Sequence, residues 1–138
     1  MGQQQLLLIV LGVIIVGIAV VVGINVFTAS AASSNRDAVI ADLTTIGSMA
    51  QGYYRKPGAL GGGCNSFDGS LCSPAGVAWV VPAQLSQTAN MSAAVAATVA
   101  AQSVVLVGTG TETGNDGSTK VKATMTVTPT GMSTVVNN

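Results

Sequence analysis

The sequence predicts an α+β protein, in which one long N-terminal α-helix packs against a small C-terminal antiparallel β-sheet. Three patterns lead to this prediction: an apolar stretch of 22 residues (Leu6–Phe27), an amphipathic stretch behind it (Arg36–Tyr54), and short β-prone runs separated by turns. With 138 residues, the chain has room for this helix and one modest head. We expect residues 1–27 to form an apolar assembly or transmembrane helix, 28–56 its amphipathic continuation, and 57–138 the head.

The apolar stretch has no charged residue, and Asn25 is its one strongly polar side chain. As a helix it would be about 33 Å long, enough to cross a hydrocarbon core of about 30 Å. Its apolar residues lie on all sides, which suits burial among copies of itself as well as burial in lipid. A plain single-pass anchor is therefore the alternative. The expected assembly core comprises Leu6, Leu7, Ile9, Val10, Val13, Ile14, Val16, Ile18, Val20, Val21, Ile24 and Phe27.

Two targeting signals are alternatives for this N-terminus. A cleaved secretory signal would carry Lys or Arg before an apolar region of about 7–15 residues, whereas here the first basic residue is Arg36 and the apolar run is longer. The small residues Ala29-Ser30-Ala31 do resemble a cleavage site, so cleavage stays open. N-myristoylation is excluded, because its motif needs Ser or Thr at the sixth position, where this chain has Leu6.

The low charge content of the chain limits its partners. Charged residues make up 7%, where about 25% is usual, and the formal net charge is zero. Such a surface cannot bind nucleic acid by counterion release, and it offers no polybasic patch for anionic lipid. With a mean hydropathy of +0.58, a chain of this kind is expected to associate in water.

The second half of the helix is predicted to be amphipathic. Residues 28–35 are small and polar and mark the place where the helix would bend. Beyond them apolar residues recur every three or four positions, so a helix over about residues 4–54 is expected. The face that should lie under the sheet comprises Val39, Leu43, Ile46, Ala50 and Tyr53.

The helix should end at Pro57-Gly58, where a glycine-rich loop with two cysteines begins. Cys64 and Cys72 bracket seven residues in a chain that has no histidine and no CxxC motif. A disulfide is favoured over a metal or redox site, and closing so short a loop would contribute about 2–3 kcal/mol.

The rest of the chain predicts a sheet. Strands are expected at Ala78–Val81, Ser103–Thr109, Ser118–Thr128 and Met132–Val136. In the third of these, apolar and polar side chains alternate, so one face should be buried. The turn at Asn115-Asp116-Gly117 predicts a hairpin, and Trp79 is the expected aromatic centre of the core. Asn90 is expected to cap a short alanine-rich helix, with a strand as the alternative.

Catalysis is not expected. The chain has no histidine and only one glutamate, Glu112, so no general base is available to activate its hydroxyl groups, and neither a cofactor nor a metal site is expected. Asp42 is interpreted as solvated or ion-paired helix surface. The turn around Asp116 has too few carboxylates for calcium. Tyr53 and Tyr54 are expected to close the core rather than to form a binding patch with the neighbouring Arg and Lys.

The chain resembles bacterial type IV pilins and the related pseudopilins. The resemblance rests on the apolar run Gln3–Phe27, the amphipathic half Ser33–Pro57, and the single sheet that follows. These residues and the loop GGGCNSFDG also resemble uncharacterised pilin-like proteins that begin MGQQQLLLI or similar. The resemblance covers about half the chain. It implies a pilin-like lollipop whose apolar helix packs in the core of a helical filament, while the sheet forms the outer wall.

The resemblance also implies location and partners. The subunit would be a homopolymer in an extracellular filament or at the cell surface, inserted in the inner membrane before assembly and handled by pilus assembly machinery. The chain departs from pilins at the fifth mature position, where they usually carry glutamate. That residue is Gln5 if Met1 is the terminus, and Leu7 if Gln3 is. Gln5 can still accept a hydrogen bond from a neighbouring ammonium group, so Met1 and Gln5 are the expected N-terminal register.

Three functions are compatible with these patterns. The first is a structural filament subunit without enzymatic activity. The second is a minor pilin or pseudopilin of a secretion or DNA-uptake system, which its abundance would distinguish. The third is a monomeric membrane-anchored binding domain, which its behaviour in detergent would distinguish.

Overall fold

A computed structural model describes residues 2–137, in which one long α-helix precedes a four-stranded antiparallel sheet. Helix α1 spans Gly2–Arg55, and a short 3₁₀ turn follows at Gly58–Leu60. The strands are β1 (Ala96–Ala100), β2 (Ser103–Thr113), β3 (Lys120–Val127) and β4 (Met132–Val136). They lie in the order β1-β2-β3-β4, so each strand pairs with its neighbour in sequence. The predicted α+β fold class is confirmed.

The chain divides into two compact units, one ending at Ala31 and one beginning at Ala32. In the first unit every described residue up to Ser30 is helical and exposed. Neither glycine nor proline interrupts α1, and residues 28–35, the expected position of a bend, are assigned to the helix throughout. By length and composition α1 is apolar enough to cross a membrane.

In the second unit, the C-terminal half of α1 packs against the sheet. Val39, Leu43, Ile46 and Ala50 are fully buried and share one apolar core with residues of β2 and β3. Glycine permits the close approach: a Cβ on Gly108 would lie 2.9 Å from the Cγ1 of Val39. The sheet residues of this core are Val104, Leu106, Ala123, Met125 and Val127.

Two tight turns set the register of the sheet. The β2–β3 connection closes when Gly114 N–H donates to the Thr119 C=O at 2.7 Å, and Gly117 takes a left-handed φ of 67°, which favours glycine. The β3–β4 connection closes at Thr128, whose N–H donates to the Gly131 C=O at 2.8 Å. Along β3 the residues Val121, Ala123, Met125 and Val127 are buried, which confirms the predicted alternation.

The structure corrects the prediction of a helix capped by Asn90. This stretch contains β1, because Ala100 pairs with Ser103 across a two-residue turn and the rest of the strand aligns with β2. The Asn90 side chain is engaged elsewhere, since its amide donates to the Asp42 carboxylate at 3.2 Å. Pairing with β2 thus outweighs the helix propensity of alanine.

The prediction of a strand at Ala78–Val81 was also wrong. These residues pair with no strand, although the chain runs without bend or turn from Ala75 to Pro82. Trp79 N–H donates to the Phe67 C=O at 2.8 Å, which fixes one edge of the segment to a loop instead of the sheet. Conversely, β2 extends to Thr113, beyond the predicted end at Thr109.

Candidate functional site

The apolar helix surface, meaning the side chains of Leu6–Phe27, is the largest unusual feature of the described residues. Its seventeen large apolar side chains are 48–75% exposed, from Val10 at the low end to Phe27 at the high end. The predicted assembly residues Leu6, Leu7, Ile9, Val10, Val13, Ile14, Val16, Ile18, Val20, Val21, Ile24 and Phe27 are all among them. A monomeric soluble protein rarely exposes a contiguous apolar patch above a few hundred Å², so this surface requires lipid or other protein around it.

Three glycines lie within this apolar surface, and no other part of the described chain contacts them. A Cβ added at Gly12, Gly17 or Gly23 would meet nothing within 4 Å, so no neighbour within the described chain explains these glycines. The space they leave is available to another helix, because small residues let helix backbones approach closely. Of the predicted N-terminal register, Gln5 is exposed on α1, whereas Met1 lies outside the described residues.

The buried half of α1 holds the head through both apolar and polar contacts. Asn35 bridges two elements: its amide donates to the Asn90 C=O at 3.0 Å and to the Thr111 hydroxyl at 3.2 Å. Asp42 accepts from the Thr88 hydroxyl at 2.6 Å as well as from Asn90. The interpretation of Asp42 as solvated or ion-paired surface was therefore wrong, since it ties the segment before β1 to the helix.

The tyrosines at the end of α1 contact the loop that follows. Tyr53 is half-buried, and its hydroxyl donates to the Val77 C=O. The ring of Tyr54 lies 4.8 Å from that of Phe67 between centroids, and its hydroxyl donates to the Gln102 side-chain oxygen at 2.9 Å. Both rings pack against the apolar core. These contacts attach both the loop after α1 and the turn between β1 and β2 to the end of the helix.

The disulfide predicted between Cys64 and Cys72 is present, with Cα atoms 5.2 Å apart. It lies beside an open groove of about 810 Å³ whose lining includes Tyr53, Val77 and Trp79. Tyr53 is the groove's only titratable side chain among described residues, so the groove offers no acid–base pair for catalysis. In residues 2–137 no group of three or more His, Cys, Asp or Glu is placed to hold a metal ion.

Removing this disulfide should weaken the head more than it weakens assembly. Closing so short a loop restricts the unfolded chain, so replacing Cys64 and Cys72 by serine should lower the free energy of unfolding by about 2–3 kcal/mol. Urea unfolding of both proteins in detergent measures this difference. Without reduction, the intact unsubstituted chain should also be lighter than its dithiol form by the mass of two hydrogens. Two free thiols in the native protein would contradict the bond.

Inside the disulfide loop, a small hydrogen-bond network holds Asp68 ionised. The hydroxyl of buried Ser66 donates to its carboxylate, and the side chain and the N–H of Ser70 also donate, the N–H at 2.9 Å. These bonds favour the charged form and lower the pKa of Asp68 from 3.8 to about 2. The carboxylate therefore stays ionised in moderately acidic surroundings and keeps these hydrogen bonds within the loop.

Acid should remove the contribution of this hydrogen-bond network to the stability of the head. Because the pKa of Asp68 is lower in the folded than in the unfolded chain, its contribution to the free energy of unfolding is present well above pH 3.8 and is lost as the pH falls through about 2. We expect Asp68→Asn to destabilise the head at pH 6, and we expect its difference from the parent protein to disappear as the pH falls below about 2. Unfolding curves of both proteins across this range provide the measurement. A difference that persists unchanged at the lowest pH would rule out the titration of Asp68 as its cause.

Comparisons of the chain with protein-family models, with curated proteins and with solved structures find no significant match. The main surfaces of the described residues are one uncharged apolar stretch of helix and one head whose sheet packs on the second half of α1.

Proposed function

We propose that this protein is the structural subunit of an extracellular, type IV pilus-like helical filament that assembles through its N-terminal apolar helix. The observation that carries the proposal is the contrast between the two halves of α1. Val39, Leu43, Ile46 and Ala50 are fully buried by the chain's own sheet, whereas Leu6–Phe27 is exposed throughout. The first half of the helix therefore needs a cover that one copy does not supply.

In water, the magnitudes allow copies of the same chain to provide that cover. Burying a Val, Leu or Ile side chain contributes about 1.5–3 kcal/mol, and association costs about 4–15 kcal/mol in lost freedom. Seventeen large apolar side chains are available for burial, so packing even half of them against neighbours outweighs the cost. A helix that is apolar on all sides can contact several neighbours at once, as the centre of a helical bundle requires.

Before assembly, the same surface needs lipid. We propose that the precursor resides in the inner membrane, with α1 as its span, and that pilus assembly machinery transfers it into the filament at the cell surface. The length and composition of α1 support the membrane-inserted state. If Met1 is the mature terminus, we propose that in the filament Gln5 accepts a hydrogen bond from the N-terminal ammonium group of a neighbouring copy, in place of the ion pair that a glutamate would make.

One alternative has a specific observation in its favour. A single helix that is apolar enough to cross a membrane also fits a monomeric, membrane-anchored binding domain. The two functions differ in where the mature protein is found: an anchored monomer stays with membranes until detergent extracts it, whereas a filament subunit leaves the cell surface by shearing. A minor pilin would be distinguished by its low abundance in the sheared filaments.

The experiment is electron microscopy of material sheared from cells that produce the protein, with the subunit identified by intact mass. The proposal expects uniform filaments in which this chain is the main component. A chain found only in detergent extracts of membranes, with no filaments in the sheared fraction, would favour the anchored monomer.

A further inference from the structure

The outer edge of β4 is an unpaired strand edge. Just beyond the two ends of the β3–β4 pairing, Thr128 N–H donates to the Gly131 C=O, and Asn137 N–H donates to the Lys122 C=O at 2.9 Å. In an antiparallel pair every second residue is hydrogen-bonded to the partner strand, so these two bonds fix which residues of β4 bond to β3. By that alternation the N–H and C=O groups of Met132, Thr134 and Val136 point away from the sheet. No described residue forms a backbone hydrogen bond with them on that side.

This edge lacks the features that usually prevent strands from pairing between molecules. Proteins protect free edges with charged residues, proline, bulges or a covering loop. Strand β4 has the sequence MSTVV, without charge or proline, and all five of its residues are exposed. The opposite edge of the sheet differs, because a loop is hydrogen-bonded beyond both ends of β1: Val95 N–H donates to Ser86 C=O, and Phe67 N–H donates to Ala101 C=O.

The head also contains an extended segment that has the sequence of a strand but no strand partner. Residues Val77–Val81 (VAWVV) lie in the stretch without bend or turn, and Pro82 ends their β-prone run. One side of the segment is fixed by the bonds of Trp79 to Phe67 and of Tyr53 to Val77. On the other side, the described residues offer Ala78 and Val80 no backbone partner, and Val80 is 73% exposed.

We propose that Val77–Val81 of one copy adds as a fifth strand to the free edge of β4 in a neighbouring copy. Both segments are five residues long, uncharged and rich in valine, which suits strand addition through main-chain hydrogen bonds. The two surfaces are different parts of the same chain, so the contact is heterologous and, in the proposed helical filament, repeats from each copy to the next. This contact rests on the proposed filament and adds an interface between heads to the packing of the apolar helices. The contact also explains why Val77–Val81 has the sequence of a strand although it pairs with no strand of its own copy.

Cross-linking of the full-length chain tests the contact. Val80→Cys and Thr134→Cys are combined in one chain, and the assembled protein is treated with a short bis-maleimide, which leaves the Cys64–Cys72 disulfide untouched. We expect a ladder of covalent multimers on a denaturing gel, because every copy would be linked to the next. Each single variant should give no species larger than a dimer.

A matched control replaces Val80→Cys with Thr98→Cys on β1, another exposed position, again combined with Thr134→Cys. The proposal predicts no ladder from this pair, and a ladder from it would assign the contact to the β1 edge and overturn the proposal. Electron micrographs of the same samples distinguish a failure of the strand contact from a failure of the filament proposal. Filaments without a ladder from the Val80 pair would overturn the strand contact alone, whereas absence of filaments from the unsubstituted chain would overturn both.

Discussion

Val13→Asp is expected to abolish filaments completely. Val13 is 67% exposed on α1, within the surface that the proposed filament buries. A carboxylate there would lie in an apolar bundle without a partner, at a cost of several kcal/mol per subunit that recurs along the polymer. Sheared material from cells that produce the variant should contain no filaments by electron microscopy.

The matched control for this substitution is Val13→Leu, which keeps the position apolar and should leave filament yield near normal. Because a central aspartate also costs about 2.5–3.5 kcal/mol for membrane insertion, membrane fractions of the Asp variant should be probed for the inserted chain. An inserted variant without filaments assigns the defect to assembly. Filaments of normal yield and diameter from Val13→Asp would mean that Leu6–Phe27 is not the assembly core.

Leu43→Ala is expected to have the largest effect on the head. Leu43 is fully buried between α1 and the sheet, where a Cβ on Gly108 would lie 3.3 Å from both of its methyl carbons. Removing the side chain loses apolar contacts and leaves a cavity that the sheet fills only in part, so the free energy of unfolding should fall by about 2–5 kcal/mol. Urea unfolding in detergent, followed by the fluorescence of buried Trp79, measures this change.

Met49→Ala on the same helix serves as its control, because Met49 is 44% exposed. A substitution on an exposed position should change the free energy of unfolding by no more than about 0.5 kcal/mol. Equal effects from the two variants would mean that the face containing Leu43 does not carry the packing of the helix on the sheet.

Local patterns were sufficient to predict the elements that a pattern of residue types alone defines. The apolar run is recognised by its lack of charge, and the stripe of α1 and the alternation along β3 each follow one periodicity. The disulfide was predicted from two cysteines in a chain without histidine or a CxxC motif, and the structure contains it. The turn at Asn115-Asp116-Gly117 likewise follows from residues that tolerate left-handed backbone.

The errors arose where distant residues decide the local structure. The alanine-rich stretch around β1 has a high helix propensity, but hydrogen bonding to β2 across Ala101-Gln102 makes it a strand. The bonds from Asn35 to Asn90 and from Thr88 to Asp42 span 55 and 46 positions of sequence, so no local pattern indicates them. The Ala78–Val81 run has strand propensity, and within one copy its edge is bonded to a loop.

The exposure of the apolar surface followed from the sequence only in part. Uncharged residues over Leu6–Phe27 predict burial in some apolar environment, without indicating which one. The structure adds that the chain's own head covers the helix from Ala32 onwards and leaves Leu6–Phe27 exposed. This division of one helix into a covered and an uncovered half is what makes the filament proposal testable at single residues.

A helical reconstruction of purified filaments by electron cryo-microscopy tests the central claim most directly. The proposal predicts that Leu6–Phe27 of many copies pack together along the filament axis, away from solvent, with the heads outside. The result that would contradict it is a filament in which these residues make no contact between copies, or a chain that remains monomeric in every detergent-free preparation.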